Sequence, residues 1–358
     1  AKQVALVVLS LSTAICLFCL ALKGPILKLI FGSVEDAVMT ASLDYFQITA
    51  ISFPFFSLFQ AGSAFFRASG NSKYPMKISV IGNIINIIGN AILIFIFHLG
   101  VLGAAISTLV SRLFCFFVIF ISLRNEKNLI YLKDYHKIRP DFKLIHKILN
   151  IGIPAGIENG MFQFGKLAIQ SSVSTLPTYA IAAQAMTIIL EGLNGMAGSA
   201  IGIGLMTVIG QTLGAGRIEE SKYYIVKLTK ISLQLIFISC LLVMALTKPI
   251  TVIAGMESAA ADLCFHMMMV ITIFKPLVWT FSFVPGYGLR AAGDVRFSMI
   301  LSSISMWLCR VAVCVFLIRV MGFGPIAVWI GMITDWTVRG ICFSYRFLSG
   351  RWLMHKVI

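Results

Sequence analysis

Apolar runs near 20 residues long recur along the 358-residue chain with few charges inside them. That is the length an α-helix needs to cross roughly 30 Å of hydrocarbon. In lipid every backbone polar group must be satisfied internally, and a helix does this within one segment. Composition agrees: 59% of residues are hydrophobic and 12% charged, against roughly 25% charged in a soluble domain. Short alternating strands, the mark of a membrane β-barrel, do not appear. Spans are expected near 3–22, 39–66, 76–98, 101–123, 148–175, 179–208, 224–247, 258–289, 297–319 and 324–347. The expected fold is therefore an all-α, multi-pass membrane protein with ten transmembrane helices, and the lipid bilayer is its first partner.

The formal charge of +15 sits in the short connections. Arg67, Lys73, Lys77, Arg124 through Lys147, Arg217, Lys222, Lys227, Arg290, Arg296, Arg351 and Lys356 collect on one side, which the positive-inside rule makes cytoplasmic. The C-terminus and the charged stretch 124–147 are expected on that side, in the cell membrane. No basic face with an aromatic platform accompanies the charge, so no nucleic-acid partner is expected. All eight cysteines lie in or beside apolar runs and read as small buried hydrophobes. Cys16 and Cys19 form a C-x-x-C that nothing completes into a metal site.

The stretch 124–147 divides two lobes that resemble each other. "RASGNSKYPM" (67–76) matches "RAAGDVRFSM" (290–299), "HLGVLGAAIS" (98–107) echoes "VMGFGPIAVW" (320–329), and "LKGPILKLIFG" (22–32) echoes "LTKPITVIAGM" (246–256). Self-similarity at a shift near 223 residues signals a structural repeat. Residue 1 aligns near 221, so the spans at 148–175 and 179–208 lack N-terminal counterparts. The expectation is a six-plus-six helix architecture of parallel repeats, read here as a fragment. Its parts are an incomplete N-terminal lobe (1–123), a linker (124–147), a C-terminal lobe (148–350) and a tail (351–358).

Ionisable groups at membrane depth cost about 2.5–3.5 kcal/mol each on insertion scales, so they face partners or a watery cavity. On one helical face Asn159, Gln163, Lys166 and Gln170 fall together, with Glu158 flanking them. The next span carries Gln184, Thr187, Glu191 and Asn194, followed by Gly195, Gly198 and Gly202, small residues that allow close approach. Span 76–98 repeats the pattern with Asn83, Asn86 and Asn90. At ~1.5 Å per residue, Lys166 lies roughly 16 Å and Glu191 roughly 20 Å from the turn near Pro177, which predicts a buried Lys166–Glu191 pair. The same count matches Arg310 with Asp335, expected as a structural ion pair. The two polar faces are expected to line a central cavity for substrate and ion.

"GQTLGAGRIEESK" (210–222), the two "RA-x-G" turns, "NIGIPAGIENGMFQFGK" (150–166) and "GMITDWTVRGICFSYRFLSGRW" (331–352) resemble, in order and spacing, the multidrug and toxic compound extrusion (MATE) transporters. The resemblance covers the whole chain as family helices three to twelve. It implies secondary active export of small organic compounds, amphipathic and often cationic, by antiport with Na⁺ or H⁺ through alternating access. No cofactor beyond that ion, no enzymatic activity and a monomeric state are expected. Where some members carry an acid in the tenth helix, this chain has Lys275 and Trp279. The seventh-helix acid of one branch falls near Phe162.

Glu158 and Glu191 are thus inferred ion-coupling residues, with Lys166 as their internal competitor. Asn159, Gln163, Gln170, Gln184, Asn194, Lys275, Trp279, Asn83, Asn86 and Asn90 are expected to line the substrate cavity. The acids Glu158, Glu191 and Asp335 are balanced by Lys166, Lys275 and Arg310, which leaves zwitterionic or anionic substrates open. It also leaves open a second reading, a flippase of lipid-linked oligosaccharides with a similar fold. An embedded enzyme finds no H-E-x-x-H or G-x-S-x-G motif.

Overall fold

A computed structural model describes residues 1–31, 35–126, 129–132 and 139–354. Parts of the expected linker (127–128 and 133–138) and tail (355–358) lie outside the described residues. The chain divides into two compact units, Ala1–Leu149 and Asn150–Ile358.

The first unit contains α1 (Lys2–Ala21), α2 (Lys23–Phe31), α3 (Asp36–Ile51), α4 (Phe53–Ala68), α5 (Lys73–Asn90) and α6 (Gly100–Leu123). A π-wound stretch, Ala91–Ile96, extends α5. The span expected at 39–66 is two helices bent by 42°. Pro54 stands in the first turn of α4 and cannot donate to the carbonyl four residues back, which releases the chain at Ser52. The short α2 occupies what the sequence reads as a connection. Phe59, Phe65 and Phe66 of α4 pack with Ile78 of α5 and Cys115, Ile119 and Leu123 of α6 to form the core.

The second unit contains most of α7 (Phe142–Val173), then α8 (Thr178–Gly214), α9 (Ile218–Ile253), α10 (Ser258–Ala291), α11 (Val295–Ser305), α12 (Val313–Arg319) and α13 (Ile326–Leu348). A π-wound stretch, Met306–Ala312, joins α11 to α12, so the fifth helix of the first unit and its repeat partner both contain one. Helix α10 is central, packed along α8, α9 and α13. Its prolines, Pro276 and Pro285, each remove one backbone hydrogen bond from it. Close approach of α8 needs its glycines: a Cβ at Gly198 would overlap Trp279, and one at Gly202 would overlap Tyr287.

Among the described residues, eight helices are long and apolar enough to cross a membrane, and the bent α3–α4 pair adds a ninth. Helix α7, at 32 residues, is long enough for the tenth expected span but is not among those apolar enough by this measure. The chain is a multi-pass, all-α membrane protein.

The repeat is visible in backbone geometry. Gly70 and Gly293 adopt φ of 82° and 92°, and each closes its helix by the same pair of bonds. Gly70 N donates to Arg67 O and Asn71 N to Phe66 O, as Gly293 N does to Arg290 O and Asp294 N to Leu289 O. This is the left-handed helix end that glycine supplies without steric cost.

The second π-wound stretch presses on α13. A Cβ at Gly331 would lie 2.9 Å from the Arg310 carbonyl oxygen, and backbone there has little freedom to yield. Gly331→Ala is expected to cost about 1–3 kcal/mol of stability, read as a lower midpoint in thermal unfolding in detergent. Gly160→Ala, which meets nothing within 4 Å, should leave the midpoint in place.

Candidate functional site

The polar residues of α7 and α8 do not share one lining within the second unit. On α7, Asn159, Gln163, Lys166 and Gln170 are exposed, and the Asn159 amide donates back to Ala155 O at 2.8 Å. On α8, Gln184, Thr187 and Asn194 are buried and Glu191 is half-buried. Trp329 Nε1 donates to Gln184 Oε1 at 2.9 Å, and the Thr187 hydroxyl meets Cys264 Sγ at 3.3 Å.

The expected Lys166–Glu191 pair is not formed. Lys275 of α10 takes its place: Nζ lies 2.5 Å from Glu191 Oε1 and 2.8 Å from Glu191 O. Lys275 is fully buried, while the Glu191 side chain keeps 17% exposure. Gly195, one turn beyond Glu191, leaves the approach open, since a Cβ there would meet Nζ at 3.6 Å. Counting depth on α7 and α8 alone overlooked α10, the helix that packs along α8. Trp279, one turn from Lys275, is buried with its ring 5.9 Å from Nζ. Asn194, one turn past Glu191, is buried with neither amide atom hydrogen-bonded.

Glu158 faces inward, away from the exposed stripe of α7. Its Oε1 accepts from Arg290 Nη1 at 2.9 Å, and the carboxylate is buried. Arg290 reads in the sequence as a loop base on the cytoplasmic side, so its reach into the unit was missed. Arg310 Nη2 donates to Asp335 Oδ2 at 2.6 Å, and the Ser305 hydroxyl donates to Oδ1 at 2.5 Å. Arg339 approaches the same carboxylate only to 4.0 Å. Its guanidinium lies 5.0 Å from the Phe162 ring and 4.6 Å from Phe283, within the range where a cation gains from an aromatic face. Phe162 therefore lies against both Arg310, at 5.7 Å, and Arg339, in the neighbourhood where one branch of the resembled family is expected to carry an acid.

Glu158, Glu191 and Asp335 are thus each matched to a base from another element. No group of three or more His, Cys, Asp or Glu suited to a metal ion occurs among the described residues.

In the first unit, Asn86 Nδ2 lies 3.3 Å from Thr108 Oγ1, and Ser107 Oγ donates to Asn86 O at 2.8 Å. Asn90 donates to Asn86 Oδ1 at 3.4 Å. Asn83 and Asn86 line a cavity of about 300 Å³ between α4, α5 and α6. Arg112 of α6 also lines it, and sequence reasoning passed over this residue. The signal was available: Arg112 is the one charge in the apolar run 100–123.

A helical membrane unit with charge pairs held inside it suits a transporter, and the chain matches the MatE family model over residues 1–92 and 154–316. The chain belongs to the MatE family. The probable multidrug resistance protein NorM of Thermotoga maritima is 25% identical, over 98% of this chain and 76% of that protein. The multidrug export protein MepA of Staphylococcus haemolyticus is 33% identical over 49% of this chain and 38% of that one. A crystal structure of MATE in complex with MaL6 superposes with a TM-score of 0.87, covering 98% of this chain and 80% of that one at 17% identity. An outward-facing multidrug resistance MATE transporter of the MOP superfamily gives 0.86 over 98% and 80%, also at 17%. At such identity these two establish the fold. The MatE relatives are transporters, and the family is one of multidrug efflux.

The MatE chain makes a direct test of its best-formed ion pair possible. Arg310→Met strands the fully buried Asp335 carboxylate and is expected to cost about 3–5 kcal/mol. Arg310→Met with Asp335→Leu removes both charges and should recover most of that loss. Unfolding of the single and double variants in detergent checks this; equal losses would deny the coupling.

Proposed function

We propose that the protein exports amphipathic organic compounds by antiport with H⁺ or Na⁺ through alternating access. The observation that carries the reading is the Glu191–Lys275 bridge, a fully buried ammonium held by a carboxylate that retains some exposure. A proton or Na⁺ arriving at Glu191 competes with Lys275 for the same oxygens. Once it binds, Lys275 is left as a buried charge without its partner, which is strongly unfavourable. The state in which Lys275 is buried therefore loses ground to one in which Lys275 is rehydrated. A ligand shifts a conformational equilibrium by this kind of differential interaction.

Helix α10 is suited to respond. Pro276 follows Lys275 directly and interrupts the helix hydrogen bonds there. The Thr280 hydroxyl turns back to Pro276 O at 2.5 Å, which leaves the local backbone held partly by a side chain. Glu158 with Arg290 offers a second exchange of the same kind toward the other end of the unit. Because Glu158, Glu191 and Asp335 each have an internal base, the reading does not require cationic substrates.

The Lys and Arg bias supports a cell-membrane orientation with the C-terminus and the 124–147 linker cytoplasmic. The reading includes a monomer that needs no cofactor beyond the coupling ion.

The test is efflux of a fluorescent amphipath from vesicles containing the full-length protein, under an imposed pH gradient and then an imposed Na⁺ gradient. One gradient is expected to drive efflux. Glu191→Gln and Lys275→Gln should each lower the driven component by about tenfold or more, the factor corresponding to ~1.4 kcal/mol. Efflux indifferent to both gradients would overturn antiport and favour the flippase reading. Efflux unchanged in both variants would remove the bridge from the mechanism.

A further inference from the structure

Helix α10 has two faces. Lys275 and Trp279 are buried toward α8, where they meet Glu191 and the Gly198 position. Leu277 and Phe281, two residues on from each and so about 160° round the helix, are exposed. With Ile273 and Phe274, also exposed, they make an apolar stripe that floors a groove between α9 and α13. The first hollow of the groove, about 240 Å³, is lined by Val226 and Lys230 of α9, Pro285 of α10 and Phe347 of α13. The second, about 500 Å³, is lined by Leu277 and Val278 of α10 and by Trp336 and Ile341 of α13. Both share Phe281, Ser344 and Leu348, so the two are continuous. The three walls are spans of the C-terminal lobe, for which the repeat leaves no member missing.

Pro285 and Ser344 stand six and four residues from the ends of α10 and α13, roughly 9 and 6 Å at ~1.5 Å per residue. Leu277 and Trp336 each lie eight residues further in, roughly 12 Å. The groove thus runs from just inside the membrane surface toward the middle of a hydrocarbon core ~30 Å thick. It begins at the end that carries Arg290, Arg296 and Arg351, the side that the Lys and Arg bias makes cytoplasmic.

The lining holds one charge. Thr229 and Thr337 turn their hydroxyls back to Ile225 O and Ile333 O at 2.6 and 2.8 Å, which withdraws them from the groove. Lys230 is exposed, and it is the one charged residue that lines either hollow. Acids along the walls are remote or engaged. Helix α9 has none after Glu220 and α10 none after Asp262, near its far end. Glu219 and Glu220 already face Lys222 and Arg217, and Asp335 of α13 is buried against Arg310. A basic group between transmembrane helices on the cytoplasmic side attracts anionic headgroups, and that leaflet carries the anionic lipids. Tyr345, exposed and lining the second hollow, stands three residues from the end of α13, where an amphipathic ring suits the membrane interface.

We propose that this groove binds an anionic phospholipid of the cytoplasmic leaflet, with Lys230 at the phosphate and one acyl chain laid over Phe281 toward Leu277 and Trp336. The long Lys230 side chain can lie along the apolar wall and keep its ammonium at the headgroup level. The choice of leaflet rests on the orientation proposed above. The preference for an anionic headgroup does not, and neither depends on what the protein exports. Leu277 follows Pro276 directly, so a bound chain fills the side of α10 that α8, α9 and α13 leave open beside that proline.

The test is native mass spectrometry of the purified full-length protein, titrated with dioleoyl phosphatidylglycerol and, separately, with dioleoyl phosphatidylcholine. Phosphatidylglycerol should bind more tightly. Lys230→Gln should weaken it about fivefold, the scale of one basic residue against an anionic leaflet, and Lys230→Arg should keep the preference. Ser344→Leu fills the junction of the two hollows without touching a charge, and it should also weaken phosphatidylglycerol. Equal affinity for the two lipids in the natural protein would overturn the proposal, as would a preference that survives Lys230→Gln. A preference lost equally in Lys230→Arg would show that charge is not what is recognised. Undiminished binding in Ser344→Leu would place the lipid outside the groove. None of these outcomes bears on gradient-driven efflux, which the vesicle experiment decides.

Discussion

A charge carried into hydrocarbon needs an opposite charge or water beside it, and three charge pairs organise the second unit. Glu191 is held by Lys275, Glu158 by Arg290 and Asp335 by Arg310. Each pair joins different helices, so each fixes a packing as well as cancelling a charge. The pairs tie α8 and α7 to α10, and α13 to the π-wound stretch after α11. Helix α10 supplies a base to two of the three. Its central position, with α8, α9 and α13 around it, gives both bases access to acids on other helices.

The pairs differ in how readily an outside ion can reach them. Asp335 is fully buried and also accepts from Ser305, which suits a permanent brace. Glu191 keeps partial exposure, and its lysine stands beside a proline in the helix. A brace and a switch can thus be built from the same chemistry, separated by access to water and by the stiffness of the backbone behind the base.

The spans were legible because lipid imposes a length and a composition that few other surroundings demand. Every expected span has a helix, and the paired glycine turns closed as their matching sequences implied. Local deviations were harder to see. The bend at Ser52 depends on Pro54, which stands inside a continuous apolar run. The two π-wound stretches have no sequence mark at all. The site was legible only helix by helix. Periodicity correctly grouped Gln184, Thr187, Glu191 and Asn194 on one face, but it cannot say which helix that face meets. Lys166 was therefore matched to Glu191 by depth, when Lys275 was the neighbour. Glu158 and Asn159 are adjacent in sequence and sit about 100° apart on a helix, enough to send one inward and leave the other exposed. Arg112 was readable from sequence alone as an unaccompanied charge in a span; attention to clusters of polar residues hid a single one.

The central claim is that the Glu191–Lys275 bridge holds α10 in its present form. Backbone hydrogen exchange along α10, compared between the natural protein and Glu191→Gln, tests it most directly. If the bridge is the restraint, loss of the carboxylate speeds exchange in the turns around Lys275 and Pro276 while the far end near Cys264 and Met267 keeps its protection. Unchanged exchange around Lys275 would show that packing alone holds the helix, and the bridge would lose its place as the switch.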